Sequence, residues 1–256
     1  HLTSEEDSSR KNALYCLSSV LSKIPEDQLK KNEVSVIFAF YLSKLEDKSL
    51  FKEALNGFSS LVKMKYITVT DVNTVLAFLM NQYSPSSFLA PVRYFAFKIM
   101  DNIYGKFQRK LEEDEDFADN YVKTFLHIVN GEKDPRNLLI SFNLNSSISS
   151  NLTNVKKFKE DLFDVLFCYF PITFKPPKND PYKISNTDLK IALRSAISAT
   201  PEFEEDAFGN LVDKLTASSP TVKNDTLQTL KACVEKFGGA ASLRQWLPLW
   251  NALKFE

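Results

Sequence analysis

Apolar residues recur every three or four positions along almost the whole chain, most clearly at Val34, Ile37, Phe38, Tyr41, Leu42 and Leu45. With about 3.6 residues per helical turn these side chains share one face, so the spacing predicts an amphipathic α-helix. Phe51, Ala54, Leu55, Phe58, Leu61 and Val62 follow the same rule, as do Val72, Val75, Leu76, Leu79 and Met80, and then Val92, Phe95, Ala96, Ile99 and Ile103. It continues through Phe117, Tyr121, Val122, Phe125, Ile128 and Val129, through Val155, Phe158, Leu162, Val165, Leu166 and Tyr169, and through Leu227, Leu230, Cys233, Val234 and Phe237. No stretch alternates with period two for long, so no strand is predicted.

Start and stop signals fall between these stripes. Thr3 or Ser4 ahead of acidic residues, Asp134 before Pro135, and Ser219 before Pro220 each offer a helix N-cap. Gly131 and the pair Gly238 and Gly239 stand where helices should end. About twelve helices result, in pairs beginning near residues 4, 46, 91, 134, 187 and 219, close to the roughly 40 to 45-residue period of HEAT and armadillo repeats. One helix pair cannot bury its own apolar stripe, so neighbouring pairs stack and share a continuous core. The expected fold is all-α: one right-handed α-solenoid of about six HEAT-like helix pairs over residues 1–256. A compact helical bundle is the weaker alternative, and the shorter tetratricopeptide period is not met. His1 in place of an initiator Met, and the closing apolar segment LWNALKFE, suggest a piece of a longer chain.

Composition narrows the function classes. The chain is 44% apolar and 25% charged, with 32 basic and 32 acidic residues, so it can bury a core and has no overall field to attract nucleic acid. The apolar run SVIFAFYL is far shorter than the roughly 20 residues of a membrane helix. Three cysteines, Cys16, Cys168 and Cys233, are widely spaced and odd in number, which suits free thiols in a reducing compartment better than a disulfide framework or a zinc site. Cys16 and Cys233 read as core thiols. Beyond His1, the single histidine His127 adjoins an apolar stripe and reads as packing. No phosphate-cradling glycine motif occurs. Catalytic residues, metal ligands and a cofactor are therefore not expected.

Three local features remain. The acidic run Leu111 to Asp119 reads as a solvated helix start, with a dock for a basic partner as its alternative. Lys156 to Lys159 and Lys106 to Lys110 are the best nucleic-acid candidates, both short and offset by nearby acids. CYFPITFKPPKNDP, Cys168 to Pro181, holds four of the eleven prolines. Pro171 stops a helix there, Phe170, Ile172 and Phe174 can anchor the segment beyond it, and Pro176 and Pro177 stiffen that segment. Asn179, Asp180 and Pro181 turn the chain toward the next helix. The loop reads first as a structural connection and second as a partner-binding surface made by Phe170, Phe174, Pro176, Pro177, Asn179 and Asp180.

GEKDPRNL from Gly131, CYFPITFKPPKNDP from Cys168, LRSAISATPEF from Leu193 and DTLQTLKAC from Asp225 resemble, in order and spacing, the N-terminal region of the MMS-nineteen family. Residues 1–130 are similar to it in helical pattern only. The resemblance implies a large non-enzymatic HEAT-repeat scaffold of the cytosolic iron–sulfur targeting complex, found in cytoplasm and nucleus. It further implies partners of three kinds: other subunits of that complex, held through C-terminal repeats outside this chain; apo iron–sulfur clients such as DNA helicases and polymerases; and proteins linked to transcription factor IIH. A solenoid that binds nucleic acid directly in repair or transcription is the rival reading; it needs the lysines aligned along one ridge.

Overall fold

The computed structural model describes residues 6–47, 49–217 and 219–254. The caps expected at Thr3 or Ser4 lie outside these residues, as does Phe255. Among the described residues the chain is all-α with no strand. Its contacts gather into two compact units, His1–Gly131 and Glu132–Glu256.

The first unit holds α1 (Asp7–Leu21), α2 (Lys31–Lys44), α3 (Phe51–Leu61), α4 (Val69–Asn81), α5 (Ala90–Glu113) and α6 (Glu115–Val129). Helices two apart in sequence lie side by side: α1 on α3, α3 on α5, and α4 on α6. Links between the two rows run from α2 to α3 and from α5 to α6. Such packing is what a helical-pair repeat requires, because each stripe finds its cover on neighbouring pairs. Val34, Phe38, Tyr41 and Leu45 from the first predicted stripe are buried, as are Phe58, Leu79, Ile99 and Phe125 from the others.

The second unit repeats the pattern with α7 (Pro135–Asn151), α8 (Val155–Phe167), α9 (Asn186–Ile197), α10 (Glu204–Leu215), α11 (Pro220–Arg244) and α12 (Trp246–Leu253). Here α7 lies on α9, α9 on α11, and α10 on α11. The expected pair starts fall within a few residues of α1, α3, α5, α7, α9 and α11. The solenoid register is therefore written in the periodicity.

Two helices run longer than the periodicity suggests. α5 spans 24 residues with a non-helical step at Phe107, and α11 spans 25 with a break at Gly238. Gly238 has φ +83°, a conformation that only glycine adopts without strain, and helical turns resume after it up to Arg244. A helix thus ends at Gly238 as expected, and a second helical stretch follows it directly. Gly131, at φ +73° just after α6, is a true terminus.

Candidate functional site

Cys168 to Ser185 connects α8 to α9, and both ends of this connection are tied down. An aromatic ladder leads into it: Phe163 stacks on Phe167 and Phe167 on Phe170, each pair with centroids 5.3 Å apart. Phe170 is buried, and the peptide bond to Pro171 is cis. Tyr169 packs edge-on against Phe142 and donates its phenol hydrogen to the Glu132 carbonyl at 2.6 Å. Burial pushes the Tyr169 pKa up to about 12, so the phenol stays a donor through the neutral range.

At the far end the Asp180 carboxylate accepts from the backbone N–H of Tyr182 and of Ile184, both at 3.1 Å, an Asx-type turn that hands the chain to α9. Ile184 is buried beside it. Ser185 and Asp188 then form a capping box, with the Ser185 N–H 2.8 Å from the Asp188 carboxylate. In mid-loop the Phe174 N–H donates to Asn186 Oδ1 at 2.7 Å, and the Arg136 guanidinium lies 4.2 Å from the Tyr182 ring centroid. The loop is a strap fastened to α7 and α9.

The six expected site residues therefore divide. Phe170 belongs to the core, Asp180 closes the turn, and Phe174 is half-buried with its backbone bonded. Pro176, Pro177 and Asn179 stand in solvent with Lys175 and Lys178. These five form the solvent-exposed tip of the strap.

Sequence reasoning missed Glu132, which is 1% exposed. Its carboxylate accepts from the backbone N–H of Lys133 and of Asp134, each at 2.8 Å, and from Asn137 Nδ2 at 3.0 Å. Asp134 meanwhile caps α7 by accepting from the N–H groups of Arg136 and Asn137. GEKDPRN is thus a polar knot around the buried Glu132 and Asn137 that starts α7 and holds the strap. Nothing local in the sequence distinguishes Glu132 from the solvated acids, since its partner Asn137 is recognisable only once the turn has formed.

The other motifs also find structural work. Asp225 pairs with Lys190 at 2.5 Å, both largely buried, next to Phe170 and Pro171. Thr200 caps the single turn Pro201–Phe203 and sets the buried Phe203 against Phe163.

The remaining reactive side chains are similarly engaged. His127 Nε2 lies 2.7 Å from the Tyr83 carbonyl. Cys233 is buried, and burial raises its thiol to about 12; Cys16 and Cys168 are exposed, so Cys16 is not the core thiol expected. Among the described residues no group of three or more His, Cys, Asp or Glu side chains could hold a metal ion, and no helix is long and apolar enough to cross a membrane. In the acidic run Asp114 caps α6, accepting from the Phe117 N–H at 3.1 Å. The neighbouring basic stretch is spent locally: Arg109 pairs with Glu113 at 2.9 Å and Lys110 with Asp114 at 3.4 Å. Lys106 turns inward to the carbonyls of Met64 and Ile67, where burial holds its ammonium below its usual pKa. That stretch offers little unpaired charge to a phosphate backbone.

Fold and strap together define a helical-repeat protein whose recognisable motifs build architecture. Residues 1–256 match the family described as the Dos2-interacting transcription regulator of RNA-Pol-II, MMS19_N, and the chain belongs to it. The match extends through the first 130 residues, where the motifs alone did not reach. The chain is 58% identical over 259 residues to the DNA repair/transcription protein MMS19 of Saccharomyces cerevisiae, a match that covers 100% of this chain and 25% of that protein. It is 33% identical over 258 residues to the MMS19 nucleotide excision repair protein homolog of Homo sapiens, covering 100% of the chain and 24% of the relative. The Dictyostelium discoideum homolog is 30% identical over 254 residues, covering 99% and 22%. The chain thus spans about a quarter of the length of these relatives.

Proposed function

We propose that this chain is part of a non-catalytic scaffold that helps deliver iron–sulfur clusters to apoproteins of DNA replication, repair and transcription, working in cytoplasm and nucleus. Membership of the MMS19 family carries the reading, and the names of its relatives, DNA repair/transcription protein and nucleotide excision repair homolog, agree with clients of that kind. The chemistry of the chain is compatible with it. His127 is bonded to the Tyr83 carbonyl and Cys233 is buried, as in a protein that works by surface recognition. The cluster is cargo in this scheme, and apo helicases and polymerases are the partners this part would help to engage. Other targeting-complex subunits, and proteins linked to transcription factor IIH, would bind the full-length protein.

Affinity capture with the 256-residue chain beside the full-length protein tests the proposal. Retention of apo clients by the chain is expected, with iron content and visible absorbance staying at background after anaerobic reconstitution. A stoichiometric cluster would make the chain a carrier instead of a scaffold. Tight, steeply salt-dependent DNA binding without client retention would favour the nucleic-acid reading. Within the strap, replacing Pro176 and Pro177 by Ala should weaken client capture at unchanged stability if the exposed tip recognises clients.

A further inference from the structure

One face of the first unit carries a run of three clefts across α2, α4 and α6. The cleft between α4 and α6 holds about 190 Å³ and is lined by Asn73, Met80, Asn81, Asn120 and Lys123, among others. Its neighbour, about 290 Å³, shares Ala77 and Asn81 and reaches Leu42 and Glu46 at the end of α2. The third, about 480 Å³, shares Glu46, Phe78 and Gln82 and ends against Phe51 and Phe88, whose rings stack at 4.7 Å. Ala77 sits on the outward stripe of α4 between the first two clefts, and its lone methyl leaves the crossing low.

Carboxamides follow this run: Asn73 and Asn81 on α4, Gln82 just beyond it, and Asn120 on α6. A carboxamide offers one acceptor and a pair of donors, which match the C=O and N–H of a peptide unit. Asn73 Oδ1 is enclosed without a hydrogen-bond partner, so Asn81, Gln82 and Asn120, all exposed, are the carboxamides open to a ligand. An α-helical ligand has already used its backbone groups internally, whereas an extended segment carries them unpaired. Among the described lining residues of the three clefts the only charges are Glu46 and Lys123, a poor match for a phosphate backbone. Lys123 is half exposed and lies a loose 3.8 Å from the largely buried Asp119. Met80, 43% exposed, adds an apolar contact that can adapt to different side chains.

We propose that this face docks an extended peptide segment of about six residues. An apolar side chain of the peptide enters the Phe51, Phe78 and Phe88 pocket, with a basic residue near Glu46. The backbone crosses Ala77 under the carboxamides, and an acidic residue ends beside Lys123. This groove uses none of the residues on which the cluster-delivery reading rests, so either can fail alone.

The test is to pan a displayed library of random dodecapeptides against the 256-residue chain and to measure the enriched peptide by fluorescence anisotropy. Ala77→Arg should weaken it by about ten-fold or more and Asn81→Ala by several-fold, with thermal unfolding unchanged. Lys123→Glu should weaken it too, and exchanging the peptide's acidic residue for lysine should restore binding to that variant. If Ala77→Arg melts early, Asn120→Arg on the exposed side of α6 is the blocking variant. No enrichment, binding indifferent to the blocking variant, or a peptide that turns helical on binding would each overturn the proposal.

Discussion

Gly57 is where a single atom decides whether α3 can pack. A Cβ at this position would stand 1.9 Å from Cε1 of Tyr41, a fully buried ring whose hydroxyl bonds Ser18 Oγ at 2.8 Å. The ring is held by that bond and by its edge contact with Phe58, so it cannot swing clear. Gly57→Ala should therefore destabilise the chain by about 2–4 kcal/mol in denaturant unfolding. In the Tyr41→Ala background the same change should cost far less, a coupling that a double-mutant cycle reads directly. Tyr41 also sets behaviour in base. Burial pushes its pKa and that of Tyr169 up to about 12, and full burial raises that of Tyr121 well above its usual value. Unfolded tyrosine ionises near pH 10, so the folded state keeps protons the unfolded state releases. The stabilisation is complete below about pH 10 and is lost as pH rises toward about 12. The exposed Tyr15, Tyr66 and Tyr182 should ionise first with helicity intact, and the last phenolate absorbance should appear only together with the loss of far-ultraviolet circular dichroism; all nine tyrosines titrating near pH 10 with helicity intact would contradict the burial.

At the scale of the element, α7 depends on the knot before it. Asp134→Ala removes a cap and should cost about 1 kcal/mol. Glu132→Ala leaves two backbone N–H groups and a buried amide without their acceptor, and about 2–3 kcal/mol is expected, with faster hydrogen exchange at the start of α7. Equal costs for the two changes would mean that Glu132 is no more than a surface acid. The pair starts at α1 to α11 were legible because a stripe of Leu, Phe and Val with period near 3.6 has one explanation. The break at Phe107 was not, since the nearest breaker, Gly105, lies two residues earlier and is itself held in helix. Leu227 and Val234 were assigned to a core stripe, yet they are 36% and 42% exposed, because they face the groove beside Trp246 and Trp250. The strap's composition announced a rigid loop, but its fastenings, Tyr169 to Glu132 and Arg136 to Tyr182, join positions far apart in sequence. Local pattern carries no record of such contacts.

For the whole molecule, balanced charge and one apolar groove pull the same way. With 32 basic and 32 acidic residues there is little net repulsion between copies. Trp246 and Trp250, stacked at 5.5 Å and each about half exposed, border a groove of about 380 Å³ floored by Leu230 and Leu249. The isolated chain should associate as its concentration rises, and sedimentation velocity should show the change. Replacing Trp246 and Trp250 together by Ser should hold it monomeric; a native chain already monomeric at high concentration would show the groove to be inert. The doubly anchored strap allows something different. Because Phe170 and Ile184 fix the ends of the connection and residues 175–179 stand clear, foreign sequence inserted after Lys178 would lengthen only a free arc. Doubling such a loop costs only about 0.6 kcal/mol. The tip is therefore a natural graft point for a fluorophore tag or an epitope: the helices on either side keep their places, and client capture by the tagged protein would itself read whether the tip is used for recognition.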